Sequence, residues 1–406
     1  MLIVYNISIG LYRIAIFFVS IWNKKAKLWI QGRKNLFDRI EEKLLNQTNI
    51  VWFHVSSLGE FEQGRPLIEE YRKRFPDRKI LLTFFSPSGF EIRKNYAGAD
   101  FIFYLPLDTS LNARRFLDIV MPREVFFIKY DFWYHFISQL NQRDIPVYLV
   151  SAVFRKNQMF FKWYGSWYFN LLKCFNHIFV QDVESLQLLL NAKIENVTIA
   201  GDTRMDRVLE IAKNPQTIDI ASRFSEGKFC VVCGSTWPLD EEILFEYILQ
   251  CPNELVFIIA PHEISENHLS SIEKKLPAKT IRFSQINMSI PVDVKVLLID
   301  NIGMLSSLYR YAQLAYIGGG FGQGIHNTLE PAAYGIPVVF GPRYHKFNEA
   351  VNLIQLGGFC CIQTAEDVRF LVERLYTDKE FLKKASDITK SYILQVRGAT
   401  EKVFST

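Results

Sequence analysis

The sequence predicts an α/β protein of two domains, each built on a doubly wound parallel sheet, and three observations carry that reading. Short apolar runs alternate along nearly the whole chain with segments of helical periodicity, which is the pattern of strand–helix–strand units. The chain has 406 residues, more than the ~100–200 that one core ordinarily organises. A glycine-rich segment, Gly318 to Pro342, follows the apolar run Leu314-Ala315-Tyr316-Ile317 and ends in another, Val338-Val339-Phe340, as a strand, turn, helix and strand would.

In the first domain, Ile50 to Val55 reads as the first buried strand, and a helix is expected from Phe61 to Phe75. Glu60 then lies at a strand-to-helix junction, the edge of an open α/β sheet that lines a ligand crevice. Further strands are expected at 80–85, 102–108, 125–128, 147–150 and 178–180. Lys129-Tyr130-Asp131-Phe132-Trp133 follows the fourth of these six strands, again at a carboxyl end. The polar stretch Lys213 to Thr217 is the expected linker, and strands at 229–233, 255–260, 296–300, 314–317 and 338–340 build the second domain. Helices are expected from about Asp367 to the end.

Residues 1–22 are apolar and aromatic, and Lys24, Lys25, Lys27, Arg33 and Lys34 follow them. A signal peptide fits poorly, because no charged region precedes the apolar run and no small-residue cleavage site follows it. Arg13 disfavours a spanning helix, so an interfacial helix with its basic flank on anionic headgroups is the expectation. The segment Phe154 to Phe169 is dense in aromatics and carries Arg155, Lys156 and Lys162. Such a mixture suits a lipid–water boundary and equally suits packing against the first domain. The net charge of +5 is mild for this length and gives little support to a nucleic-acid partner. Of the six cysteines, Cys230 and Cys233 share a strand-like run and Cys360 and Cys361 another, so reduced, packed thiols are expected and no metal site is assigned.

The glycine-rich segment carries the clearest chemistry. Its glycines would let a backbone approach a ligand, Asn327 would cap the following helix, and free amides at that helix start suit phosphate. Glu330, in the first turn, is placed to accept hydrogen bonds from a ribose. No Asp-x-Asp occurs in the sequence, so a metal-chelating diphosphate site is not evident.

Gly318-Gly319-Gly320 followed by Gly324-Ile325-His326-Asn327-Thr328-Leu329-Glu330-Pro331 resembles the nucleotide-sugar segment of the Kdo transferases. These inner-membrane enzymes add 3-deoxy-manno-octulosonic acid (Kdo) to the lipid A precursor. His54-Val55-Ser56-Ser57-Leu58-Gly59-Glu60, Gly201-Asp202-Thr203-Arg204-Met205-Asp206 and Gly234-Ser235-Thr236-Trp237 extend the likeness along nearly the whole chain. The resemblance implies a GT-B glycosyltransferase, two Rossmann-like domains facing a cleft with an N-terminal membrane-associated helix. It divides the chain into the helix (1–28), an acceptor domain (29–212), a CMP-Kdo domain (213–390) and a last helix (391–406) crossing back to the first domain.

The resemblance also implies roles. Glu60 would be the proton acceptor in an inverting transfer, and Arg204 stands where the family usually has Lys. Donor contacts would fall on His262, Glu263, Ile302, Gly303, Met304, Asn327, Thr328, Leu329 and Glu330, with Ser57, Gly59, Ser235, Thr236, Gly319, Gly320 and His326 completing the site. Three departures stand out: Lys129 where many relatives have Glu, Pro261-His262-Glu263 for Pro-Arg-His, and Gly303-Met304-Leu305 for Gly-Glu-Leu. Lys129 is counted with the catalytic residues as a source of replacement positive charge. The implied partners are CMP-Kdo, as substrate with no cofactor, the lipid A precursor and inner-membrane lipids on the cytoplasmic face. A GT-B transferase with another donor and a nucleotide-sugar epimerase remain the alternatives.

Overall fold

The computed structural model describes residues 2–277, 279–286, 291 and 293–406. The chain divides into two compact units, Met1–Asp206 with Gly398–Thr406, and Arg207–Arg397.

The first unit is organised on seven parallel strands: β1 Ile50–Val55, β2 Lys79–Phe84, β3 Phe101–Tyr104, β4 Glu124–Ile128, β5 Val147–Ala152, β6 His177–Val180 and β7 Val197–Ile199. They lie in the order β3-β2-β1-β4-β5-β6-β7. Helices cover both faces, so a central strand must be apolar on both sides, and all six residues of β1 are buried. Its neighbours hold it in register: Phe53 pairs with Leu82 of β2 and with Phe126 of β4.

The second unit repeats the plan with β8 Phe229–Thr236, β9 Leu255–Pro261, β10 Thr280–Arg282, β11 Val296–Leu298, β12 Leu314–Ile317, β13 Val338–Phe340 and β14 Phe359–Cys361. The order is β10-β11-β9-β8-β12-β13-β14, all parallel. Cys230 and Cys233 are fully buried within β8. Strands β7 and β10 escape the sequence reading. Each is a three-residue edge strand whose residues are mostly half-exposed, so neither produces an apolar run.

The boundaries differ from those expected. The helix Arg204–Lys213 runs straight across residue 206, so the first crossing falls between Asp206 and Arg207 rather than at 213. The polar stretch 213–217 lies inside the second unit. Lys379–Val396 is one continuous helix, so nothing breaks at 391, and the return to the first unit comes at Gly398, which adopts φ 86°. Asp206 accepts from the backbone N–H groups of Gly398 (2.6 Å) and Thr400 (2.7 Å), fastening the start of the helix Ala399–Ser405.

The N-terminal helix is Leu2–Val19, and a second helix begins at Lys24, so the segment expected to end at 28 is two elements. Tyr5 and Tyr12 tie the first helix to its own unit. The Tyr5 hydroxyl donates to Asp108, and the Tyr12 ring lies 5.8 Å from Trp29 and 6.0 Å from Phe85. Arg33, expected to meet headgroups, is instead folded inward. Its guanidinium lies 3.9 Å from the Trp29 ring centroid and donates to the carbonyls of Leu105 (3.0 Å) and Phe85 (2.8 Å).

The glycines of the second unit are needed for packing before any ligand is considered. A Cβ on Gly320 would lie 2.5 Å from the backbone N of Gly341 and 2.6 Å from its Cα, and Gly319 adopts φ +90°. Gly320→Ala is therefore expected to destabilise the protein by about 1–3 kcal/mol through overpacking, read as a lower midpoint in urea unfolding. An unchanged midpoint would show that the loop yields freely.

Candidate active site

Where a doubly wound sheet reverses its winding, the loops at the carboxyl ends of the two flanking strands diverge and leave a crevice. In the first unit that place lies between β1 and β4. The loop after β1 carries Ser56 and Ser57 into the helix Leu58–Arg74, which begins three residues before the expected Phe61 because Ser57 takes the N-cap position. Glu60 thus sits in the first helical turn, with its carboxylate accepting from the Ser57 hydroxyl. Gly59 has open space where a Cβ would stand, its nearest neighbour being Ser57 Oγ at 3.7 Å.

The loop after β4 brings Lys129 and Asp131 alongside. Lys129 holds φ 69°, in the left-handed region that β-carbons disfavour. Asp131 accepts from the Ser56 hydroxyl, while its Oδ2 is buried without a hydrogen-bond partner. Burial drives the Asp131 carboxyl up to about 8, helped by the negative charge of Glu60 and opposed by the bond from Ser56. Asp131 therefore holds a proton at neutral pH. His54 lies 3.6 Å away, yet the two do not form an ion pair, because burial pushes the imidazole down to about 3. Trp133 donates to His54 Nε2 (3.0 Å), which assigns the proton to Nδ1 and directs it at Thr83 Oγ1 (2.8 Å).

Arg204 opens the helix after β7 and grips Asp202 through Nε (2.9 Å) and its backbone N–H (3.0 Å). Burial alone would raise the Asp202 carboxyl, but the Arg204 and Lys129 charges hold it below the usual range. Lys129, Asp202 and Arg204 thus form one charged group at the sheet's carboxyl edge.

In the second unit the reversal lies between β8 and β12. Ser235 lies at the carboxyl end of β8 and Trp237 follows it, His262 and Glu263 follow β9, Ile302 to Met304 follow β11, and the glycine loop follows β12, so the predicted positions share one edge. Three rings meet there. His262 stacks on Trp237 (centroids 4.5 Å apart, 24°) and on His326 (4.5 Å, 27°), and Trp237 Nε1 donates to His326 Nε2 at 2.9 Å. Burial, with His262 adding to it, lowers His326 to about 4, so it is neutral and its Nδ1 carries the proton. Ser235 adopts φ 54° beside a register shift in β8. Asp240 bolts the two loops together, accepting from the N–H groups of Gly319 (2.8 Å) and Trp237 (3.0 Å) and from the Tyr316 hydroxyl (2.7 Å).

Several assignments change at this edge. The helix expected after Asn327 is only Leu329–Ala333, and Thr328 takes the cap position. Asn327 still serves the turn, accepting from Leu329 N–H (3.1 Å) and donating to Glu330 Oε1 (3.0 Å). Thr236, Thr328 and Leu329 are fully buried, and Thr236 is engaged with Glu241 at 3.0 Å, so their side chains are closed to a ligand. His262, Glu263, Ile302 and Asn327 are exposed. Trp237, Asp240 and Asp202 were not assigned from sequence. The spacing from Trp237 to Asp240, a residue entering a helix and an acid three positions later, is the signal that would have found that pair.

Two parallel doubly wound sheets with ligand edges at their switch points define the GT-B class of nucleotide-sugar enzymes. The same fold is seen in UDP-GlcNAc 2-epimerase from Neisseria meningitidis bound to UDP-GlcNAc, at TM-score 0.58 and 16% identity over 86% of this chain and 99% of that one. Sequence narrows the class. Residues 31–207 match the family model described as 3-deoxy-D-manno-octulosonic-acid transferase. The 3-deoxy-D-manno-octulosonic acid transferase of Aquifex aeolicus is 28% identical over 88% of this chain and 95% of its own length. That of Haemophilus influenzae is 25% identical over 87% and 85%. Over most of its length the chain is thus similar to Kdo transferases, which are glycosyltransferases.

The raised Asp131 carboxyl makes a signed prediction. An unfolded aspartate ionises near 3.9, whereas the folded one keeps its proton to about 8, so stability falls as pH rises through that window. Asp131→Asn, which cannot ionise, is expected to flatten the fall in unfolding free energy between pH 4 and 8. An identical slope in the variant would show that Asp131 titrates normally.

Proposed function

We propose that this glycosyltransferase moves Kdo from CMP-Kdo to the lipid A precursor in lipopolysaccharide synthesis, with Glu60 as general base. The observation that carries the assignment of the base is the position of Glu60, in a first helical turn at the switch point of the acceptor-side sheet and bonded to Ser57. Similarity to 3-deoxy-D-manno-octulosonic acid transferases supports the sugar.

In this reading Glu60 takes the proton of the acceptor hydroxyl as its oxygen bonds to the anomeric carbon, and the bond to the CMP phosphate breaks on the opposite face, inverting that carbon. Asp131, holding its own proton, does not compete as base. Lys129 and Arg204 supply positive charge toward the donor's anionic groups, and Asp202 keeps Arg204 oriented. On the second unit, the exposed His262 and Asn327, the neutral His326 and Glu330 hold the nucleotide, with Glu330 accepting from the ribose.

The enzyme is proposed to work on the cytoplasmic face of the inner membrane, held there by the helix Leu2–Val19. That helix has mean hydropathy 1.9. While Tyr5 and Tyr12 face its own unit, Ile3, Ile7, Ile14, Phe17 and Phe18 are each more than half exposed, and Lys24, Lys25 and Lys27 follow on the surface. An apolar stripe with a basic flank partitions into an interface of anionic lipid.

Two measurements test these assignments. Glu60→Gln is expected to cut transfer by about 10²–10⁴-fold with CMP-Kdo affinity and melting temperature little changed; near-normal transfer by the folded variant would remove Glu60 as base. Replacing Ile7, Ile14 and Phe18 together with Asn should release the protein from anionic vesicles at unchanged melting temperature. Vesicle binding equal to wild type would refute the anchor.

A further inference from the structure

The aromatic and basic segment after β5 is not used by the mechanism above, and it forms the wall of a cavity that Tyr130, the neighbour of Lys129, also lines. A cavity of about 410 Å³ opens among Tyr130, Phe132, Arg155, Gln158, Phe160 and Tyr168, all in the first unit. Its floor is rigid. Phe132 and Phe160 pack at 4.7 Å, Phe160 and Tyr168 stack at 5.0 Å with planes 12° apart, and the Tyr168 hydroxyl donates to the Phe132 carbonyl at 2.5 Å.

The rim is charged. Arg155 is exposed, and its main chain is fixed by an exchange with Gln158, whose Oε1 accepts from Arg155 N–H at 3.0 Å while Gln158 N–H donates to the Arg155 carbonyl at 3.0 Å. Among the described residues its guanidinium makes no ion pair. Tyr130, 43% exposed, forms the wall toward the catalytic edge, with Lys129 Nζ 5.2 Å from its ring centroid. Burial raises the Tyr130 hydroxyl; the Arg155 charge opposes that rise, and the charges of Asp182 and Glu60 add to it, so all three groups lie within electrostatic reach of this ring. Asp182 is occupied as the cap of the helix Val183–Asn191, accepting from Ser185 N–H at 2.7 Å.

Aromatic faces suit the apolar faces of sugar rings, and a guanidinium fork suits a phosphate. We propose that this cavity is an acceptor subsite, holding a phosphate-bearing sugar headgroup with the phosphate on Arg155 and the sugar against Tyr130, so that a hydroxyl of that headgroup is presented toward Glu60. The proposal rests on the glycolipid acceptor of the function proposed above and assigns the part of it that the protein grips. It also resolves the two readings of the 154–169 segment: Phe154 and Phe160 are core residues, whereas Arg155 faces the cavity and Trp163, 91% exposed, faces outward.

The test compares wild type with Arg155→Ala, whose substituted side chain is exposed and carries no buried contact. Acceptor dispersed in detergent micelles would be used with its phosphate groups intact or removed, measuring both direct binding by titration and steady-state transfer. With the phosphorylated acceptor, the variant is expected to raise KM and the dissociation constant roughly 10- to 100-fold, the scale of a charged hydrogen bond, with kcat at saturation retained. With the dephosphorylated acceptor, variant and wild type should be equal. An equal loss with both acceptors, or no loss with either, would overturn the proposal. So would a loss of binding to anionic vesicles containing no acceptor, which would assign Arg155 to the bulk membrane surface. Failure of wild type to transfer Kdo at all would instead count against the proposed function, and the binding arm would still decide whether the cavity takes a phosphorylated sugar.

Discussion

Each parallel sheet reverses its winding beside its first strand, and that reversal decides where chemistry is possible in this chain. β1 and β4 send their following helices to opposite faces, as do β8 and β12, so the carboxyl-end loops part and backbone groups there are free of the sheet. Glu60, Lys129 and Asp131 stand at the first reversal, and Trp237, His326 and the glycine loop at the second. The strained backbone at Lys129 and Ser235 belongs to the same two places, where a chain leaving a strand must turn sharply while a side chain is kept at the mouth of the crevice.

Burial then separates groups that are chemically alike. Glu60 and Asp131 are both carboxyls at one crevice, yet Asp131 lies under Ser56 and the ring of His54, where ionisation is costly, and it keeps its proton. Keeping a proton on one of two neighbouring acids at neutral pH avoids like-charge repulsion between them. The histidines follow the same logic. His54 and His326 are each held neutral by burial and oriented by an indole N–H, from Trp133 and Trp237 respectively. Both sites thus use tryptophan to set an imidazole tautomer.

Most of the fold is legible in the sequence for a physical reason: parallel strands covered on both faces must be runs of apolar residues, so β1, β8 and β9 read directly. Edge strands β7 and β10 do not, since a half-covered three-residue strand has no distinctive composition. The crossings between units are also missed, because Arg204–Lys213 and Lys379–Val396 have ordinary helical propensity through the expected breaks. At the site, Glu60 is legible because its position depends only on the strand before it and the helix after it. The action of the Lys129 charge on Asp202 is not, since residues so far apart in the chain share one sheet edge only in the folded structure. Local sequence also cannot reveal that Gly320 is required by Gly341, or that Arg33 donates to the carbonyls of Phe85 and Leu105, because each contact joins segments remote in the chain.

The most direct measurement is the mass of the lipid product. Purified protein incubated with CMP-Kdo and lipid A precursor is expected to yield a lipid heavier by one or more Kdo residues, with CMP released in equal molar amount. An unchanged lipid mass under conditions where the donor is bound, or turnover of the nucleotide sugar that proceeds without any acceptor, would contradict the assignment of Kdo transfer to this chain.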